Sequence, residues 1–278
     1  MCIEKTQITD TEFVKGFVRM CEDGWRMGWH ERNGGNLSYR IKDEEIEKIM
    51  PFLNEDKPWT DITAKVPGLS GEFFLVTGSG KYFRNVPLNP AENIAIIEIN
   101  SDGDKYRIRW GLENGGKPTS ELPSHLLNHE VKKRVSNGRI RVVYHAHPAN
   151  IIALTFILPI DDQIFTRELW EMITECAMVF PEGVGVLPWM VCGSPDIGIK
   201  TSKLMEKYNV AIWAYHGMFC CEEDFDLTFG LMNTVEKAAE ILMKVLSVRP
   251  DKRQSVSSDN LRELAKAYNL PINEEFLD

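Results

Sequence analysis

Val142-Val143-Tyr144-His145-Ala146-His147 sets two imidazoles two positions apart at the end of an apolar run. In a strand, residues i and i+2 project from the same face, so both rings can reach one ion. A third histidine, His216, closes a second apolar run and precedes Gly217. Three imidazoles and one open coordination position suit a catalytic zinc or a similar divalent ion. The bland alternative is polar capping of a strand end, and a second strand-end histidine weakens it. His125 and His129 stand four apart on an expected helix, a spacing that also suits a metal. On an amphipathic helix they read as structural or solvated. His30 reads as a surface or helix-end residue.

Pro118-Thr119-Ser120-Glu121 reads as a helix start, with hydroxyls as caps and a carboxylate where the helix dipole favours it. On spacing alone that structural reading is sufficient. The functional alternative is a general base beside the ion, with the hydroxyls holding an anion at the helix N-terminus. Asn33-Gly34-Gly35-Asn36 and Thr77-Gly78-Ser79-Gly80 are Gly-rich turns at element ends. Their backbone N–H groups can make anion nests. Neither matches a nucleotide-binding fingerprint. Singly they read as structural, and together with the Thr-Ser pair they are better explained by a phosphate. Glu175 reads as a solvated surface residue.

Positioning these groups takes a packed core, and composition allows one. The chain has 278 residues, 43% hydrophobic and 26% charged, which excludes disordered, collagenous and coiled-coil classes. With 32 basic against 41 acidic residues the net charge is -9. That balance argues against a nucleic-acid partner, although a small phosphate can be held locally. No apolar run reaches the roughly 18 residues of a membrane span, and the N-terminus lacks a leader pattern. A cytoplasmic protein is expected, with no membrane partner. Its six cysteines (Cys2, Cys21, Cys176, Cys192, Cys220 and Cys221) should then be free thiols. No CxxC pair and no activating partner is evident, which argues against a cysteine zinc site and a cysteine nucleophile.

A capping box at Thr9 and Glu12 and the stripe Phe13, Phe17, Cys21, Trp25 predict an amphipathic helix to about residue 29. The polar, proline-bearing stretch 43–70 reads as an irregular insertion. Strands are expected at 71–76, 94–99, 106–110, 139–146, 184–187 and 210–215. Helices are expected from Thr119-Ser120 to 135 and over 148–157, 162–174, 197–207, 225–248 and 258–268. No linker divides the chain. Paired strands mixed with helices predict an α/β/α arrangement with an antiparallel or mixed sheet.

Taken together, Asn-Gly-Gly-Asn, Thr-Gly-Ser-Gly, Thr-Ser-Glu, His-x-His and the late histidine resemble the class II sugar-phosphate aldolases, the aldolase/adducin family. Glu31-Arg32-Asn33-Gly34-Gly35-Asn36-Leu37, Phe83-Arg84-Asn85-Val86 and Gly185-Val186-Leu187-Pro188-Trp189-Met190 carry it further, and it spans about residues 10 to 270. The resemblance implies one three-layer α/β/α domain over residues 1–278, built around a mostly antiparallel sheet. An N-terminal helical segment at about 9–30 and a C-terminal helical extension at about 255–278 would enlarge it. A four-fold homotetramer with interface active sites is implied. So is one zinc ion per subunit on His145, His147 and His216, with Glu121 as the catalytic carboxylate. Asn33, Gly35, Asn36, Ser79, Gly80, Thr119 and Ser120 match phosphate and substrate positions, and Glu175 matches a glutamate reaching a neighbour's site. The implied reaction is reversible aldol cleavage of a ketose phosphate through a metal-stabilised enediolate. A related phosphopentulose 4-epimerase is one rival. A non-catalytic adducin-like module is another, and the three histidines count against it.

Overall fold

The computed structural model describes residues 8–277 apart from 249 and 253. The leader reading and the Cys2 thiol fall on residues outside that set. In chain order the elements are α1 (Glu12–Arg26), β1 (Asn36–Arg40), α2 (Asp43–Ile49), β2 (Thr60–Asp61), β3 (Phe73–Thr77), α3 (Pro90–Asn93), β4 (Ile94–Ile99) and β5 (Lys105–Gly111). There follow α4 (Leu122–Val135), β6 (Val142–Ala146), α5 (Ala149–Leu154), α6 (Asp162–Trp170), α7 (Glu175–Val179) and β7 (Gly185–Leu187). The last are α8 (Pro195–Leu204), β8 (Val210–Trp213), β9 (Gly217–Glu222), α9 (Phe225–Val248) and α10 (Ser258–Tyr268).

The strands form one sheet in the order β2-β5-β4-β3-β1-β6-β9-β8-β7. Every pairing is antiparallel except β7 with β8. Alternation along the strands sends residues to two different cores. Leu37, Leu75, Ile96, Tyr144, Ile212 and Met218 pack with Phe13 and Phe17 of α1, Phe165 of α6 and Leu231 of α9. Phe74, Val76 and Ile97 face the other way, against Leu122 and Leu126 of α4. Val143, Ala211 and Phe219 do the same against Ile197 of α8. Helices thus cover both faces, giving the expected three-layer α/β/α domain around a mostly antiparallel sheet.

Local signals missed in several places. Thr9 caps nothing: α1 starts after Thr11, whose hydroxyl donates to the Ile8 carbonyl, and it ends at Arg26. Phe13, Phe17 and Cys21 are buried, but Trp25 is 42% exposed, because Met20 and Gly24 complete the buried face instead. The stretch 43–70 is more regular than its prolines suggest. It carries α2, a short β2 and two 3₁₀ turns, and buries Ile46, Ile49, Leu53, Val66 and Leu69. The strand expected at 139–146 begins only at Val142, the stretch 148–157 is helical only to Leu154, and the helix expected over 162–174 ends at Trp170, with α7 starting beyond it at Glu175. Strand β9 was missed: the apolar run Gly217-Met218-Phe219-Cys220-Cys221 pairs with both β6 and β8.

Phe17 lies fully buried on the sheet side of α1. Phe17→Ala should destabilise the protein by about 3–5 kcal/mol, read as a lowered denaturant midpoint. An unchanged midpoint would remove α1 from the core.

Candidate metal centre and active site

The antiparallel register sets the site. His145 on β6 lies opposite Asn36 on β1 and Phe219 on β9, so these side chains share the face turned toward α4 and α8. His147 follows one residue beyond β6, and its N–H donates to the Trp29 carbonyl. His216 sits in the tight turn between β8 and β9, where Trp213 pairs with Gly217. Tyr215 takes a left-handed conformation, φ 64°, and its N–H donates to the Thr155 hydroxyl. A Cβ on Gly217 would lie 2.4 Å from the Ala146 carbonyl oxygen and 2.9 Å from the His147 ring. Only glycine lets the two segments approach this closely.

The structure brings His145, His147 and His216 together as the sequence predicts. The Nε2 atoms of His147 and His216 each lie 3.3 Å from that of His145. His145 Nδ1–H donates to the Met218 carbonyl at 3.0 Å, and His147 Nδ1–H donates to the Glu31 carboxylate at 2.8 Å. Neutral rings with protonated Nδ1 present Nε2 lone pairs. Both lone pairs therefore face the cluster. Burial holds His145 well below the usual imidazole range and His216 at about 4, and neighbouring imidazoles add to both effects. Two bonds of about 2.05 Å at the tetrahedral angle span about 3.3 Å, so the donor set fits a divalent ion such as zinc. His145 is held flat against Phe219, with ring centroids 4.4 Å apart and planes at 15°.

Glu121 places a carboxylate beside the inward-facing nitrogens of this cluster, with Oε2 3.8 Å from His145 Nε2. It is 8% exposed and accepts a 2.9 Å hydrogen bond from Asn36 Nδ2. Burial raises its pKa, against the Asn36 hydrogen bond and the charge of His147. The expected helix start needs correction: α4 begins at Leu122, and Glu121 itself is the N-cap residue. Thr119 belongs to the preceding segment, and Ser120 lies in the turn that leads into α4, closed by the Leu122 N–H on the Thr119 carbonyl. The Thr119 N–H donates to the Thr77 carbonyl, the Ser79 N–H donates to the Lys117 carbonyl, and Gly78 bridges Pro118. The Thr77 hydroxyl in turn accepts from Leu37 N–H. Loops 33–36, 77–80 and 118–121 are thereby tied into one rim. Asn36, Thr119 and Glu121 are buried, Gly35 is half-buried, and Asn33, Ser79, Gly80 and Ser120 are exposed.

His30 is not a surface residue. It is 5% exposed, stacks on Phe83, donates from Nδ1 to the Gly34 carbonyl and accepts at Nε2 from the Tyr144 hydroxyl. Gly35 packs on it at φ 76°, and a Cβ there would lie 2.4 Å from His30 Nδ1 and 2.7 Å from the His145 carbonyl oxygen. His125 and His129 stay out of the metal cluster and are buried rather than solvated. Glu175 is exposed at the start of α7, and among the described residues no hydrogen bond or ion pair joins it to the cluster. The thiols of Cys21, Cys176, Cys220 and Cys221 are buried and free, and burial pushes them up, Cys221 to about 12. Cys192 is exposed and free. Glu31, the orienting partner of His147, went unrecognised. The available signal was an acid directly following His30 and opening the Gly-rich loop.

The sequence matches the family described as Class II Aldolase and Adducin N-terminal domain over residues 15–243. The chain belongs to that family. It is 46% identical over 263 residues to a rhamnulose-1-phosphate aldolase of Mannheimia succiniciproducens, covering 95% of this chain and 96% of the relative. It is 44% identical over 271 residues to a rhamnulose-1-phosphate aldolase of Klebsiella pneumoniae, covering 98% of each. Among solved structures, a sugar-phosphate aldolase from Thermotoga maritima superposes with a TM-score of 0.72 at 24% identity, covering 87% of this chain and 97% of that one. An L-fuculose 1-phosphate aldolase gives 0.61 at 16%, covering 94% and 97%. These two likenesses concern the fold.

Glu31 fixes the proton of His147 away from the cluster, so Glu31→Ala should weaken zinc affinity about 10- to 100-fold, measured by competition with a chelating dye. Unchanged affinity would remove Glu31 from that role. A second expectation concerns acid. His30 is lowered to about 3 by burial, against about 6.5 unfolded, so below that value the unfolded chain binds the extra proton. Its contribution to stability therefore falls as pH drops from about 6.5 toward 3. Urea unfolding of metal-free protein at pH 7 and pH 5 should show a loss smaller by about 2 kcal/mol in His30→Gln than in the parent. Equal losses would contradict the burial argument.

Proposed function

We propose that the chain is a zinc-dependent aldolase that reversibly cleaves L-rhamnulose 1-phosphate to dihydroxyacetone phosphate and L-lactaldehyde. The observation that carries the reading is Glu121 Oε2 lying 3.8 Å from His145 Nε2, at the rim where the Gly-rich loops meet. The near-full-length relatives named rhamnulose-1-phosphate aldolase supply the substrate. A four-fold homotetramer with active sites between subunits, a cytoplasmic location and a single enlarged domain belong to the same reading.

Breaking the carbon–carbon bond leaves an electron pair on carbon, and a sink must accept it. A divalent ion on the three histidines supplies a Lewis acid for the neighbouring carbonyl oxygen. The chain supplies the rest. Burial disfavours the protonated forms of His145 and His216, and neutral ligands leave the ion its charge. Asn33, Gly35, Asn36, Ser79, Gly80, Thr119 and Ser120 orient the phosphate and the sugar, which fixes the reacting carbon relative to Glu121. In cleavage a hydroxyl proton leaves the substrate, the bond breaks, the aldehyde departs, and Glu121 returns a proton to the remaining carbon. In synthesis Glu121 removes that proton. Its burial suits the exchange, because a raised pKa makes the carboxylate a stronger base toward a carbon-bound proton. Glu175 of a neighbouring subunit serves the proton on the aldehyde oxygen.

Treatment with a chelator should abolish lactaldehyde release, and added zinc should restore it. His145→Ala should lose the metal while remaining folded. Glu121→Gln should keep the metal and slow exchange of a dihydroxyacetone phosphate proton with solvent by about 10²-fold or more. Full cleavage without metal, or an unchanged exchange rate, would defeat the mechanism. An isomeric sugar in place of lactaldehyde would assign the chain to an epimerase instead.

A further inference from the structure

Beneath Glu121 lies a run of buried polar groups of which the proposed reaction uses only Asn36. Asn36 and Ser38 project from β1 toward α4, where His125 and His129 stand one turn apart. Asn36, Ser38, His125 and His129 are 6%, 1%, 0% and 0% exposed. Asn36 Nδ2 contacts Glu121 Oε2 at 2.9 Å, and Asn36 Oδ1 contacts His125 Nε2. Ser38 Oγ lies 2.6 Å from His125 Nδ1 and 2.8 Å from His129 Nε2. Burial lowers both histidines, His125 to about 3, so each ring carries one proton near neutral pH.

The direction of these hydrogen bonds follows from their ends. A carboxylate only accepts, so the Asn36 amide must present Nδ2 to Glu121 and Oδ1 to His125. Oδ1 only accepts, so His125 carries its proton on Nε2 and accepts at Nδ1. Ser38 must then give its hydroxyl proton to His125, which leaves its oxygen to accept from His129 Nε2–H. The far end agrees: His129 Nδ1 has no partner, and an unprotonated nitrogen tolerates that position better than a buried N–H. Reversing the chain would strand an N–H at His129 and set Asn36 Oδ1 against the carboxylate.

We propose that His129, Ser38 and His125 form a one-way hydrogen-bond chain that locks the Asn36 amide and thereby holds Glu121 against the histidine cluster. They are positioning residues, and the chain works only through Asn36. That the side chain so held moves a proton rests on the proposed function. The geometry of the chain does not.

Two measurements test it. On zinc-loaded protein labelled with 15N in histidine, long-range proton–nitrogen spectra should show His125 and His129 protonated on Nε2 alone, with Ser38→Ala perturbing both. A proton on His125 Nδ1 would overturn the proposal. The second is kinetic. His125→Leu should lower kcat for sugar-phosphate cleavage about 10- to 100-fold, the loss expected when a freed Asn36 amide gives up its hydrogen bond to the Glu121 carboxylate. Metal content and KM should hold. His125→Gln should recover most of the rate, because its amide nitrogen reaches where Nε2 stood, and Ser38→Ala, the gentler excision, should cost about tenfold. On an Asn36→Ala background, His125→Leu should add nothing. Parental kcat in both His125→Leu and Ser38→Ala, or an equal loss on the Asn36→Ala background, would make the network mere packing. If His125→Leu does not fold, Ser38→Ala alone and on the Asn36→Ala background decides. If the parent cleaves no sugar phosphate, the proposed reaction fails while the spectra still decide the chain.

Discussion

Unprotonated imidazole nitrogens facing one another at 3.3 Å are the constraint from which the rest of the site follows. Lone pairs so close repel, and a shared cation relieves that repulsion. Each ring must therefore be gripped from behind. The Met218 carbonyl holds His145 and the Glu31 carboxylate holds His147, while the β8–β9 turn aims His216. The gripping atoms come from different parts of the chain, and the sheet is what makes their positions rigid.

The register between β1 and β6 performs most of this placement. It sets Asn36 opposite His145 on one face, and the opposite alternation sends Tyr144 to the other face to meet His30. Tyr144 therefore steadies the Gly34–Gly35 turn through His30 from below, while His145 faces the other two histidines. A register slip of one residue would exchange the two faces and undo both. The two cores, one on each side of the sheet, protect the register energetically, because every apolar residue on these strands would be misplaced with it.

How far the sequence could be read depended on the distance over which each feature acts. His145-Ala-His147 was legible because a period of two is a local property, and α9 and α10 were located to the residue by their periodicity and flanking polar residues. The family resemblance supplied Glu121. Spacing alone did not, since its contact with Asn36 spans 85 residues. His30 is misread for the same reason: it looks polar and local, while its partner Tyr144 lies on a strand far along the chain. For His125 and His129, burial against Ser38 of β1 decides between the structural and solvated readings in favour of the structural one. Thr9 and Glu12 show the converse error, a local pattern overridden by tertiary packing. The stretch 43–70 was misjudged because Pro51 and Pro67 fall at 3₁₀ turns, where a missing N–H costs little. Strand β9 hid behind His216, although its run of Met218, Phe219, Cys220 and Cys221 was apolar enough to pair.

Burial across the rim is graded. Asn33, Ser79, Gly80 and Ser120 are open to solvent, Gly35 is partly covered, and Asn36, Thr119 and Glu121 are enclosed. The gradient matches the division of labour in the proposed reaction. A dianionic phosphate is costly to desolvate, and exposed backbone N–H groups and hydroxyls can hold it while water still reaches it. A carbon acid needs the reverse, because a carboxylate stripped of water is the stronger base and a proton on it is better retained. In the proposed reaction, phosphate positions on the open loops and a carboxylate enclosed at the start of α4 satisfy both demands with one short rim. The left-handed Gly35 at its bend lets the chain pass from the open part to the enclosed part without a side chain intruding on His30.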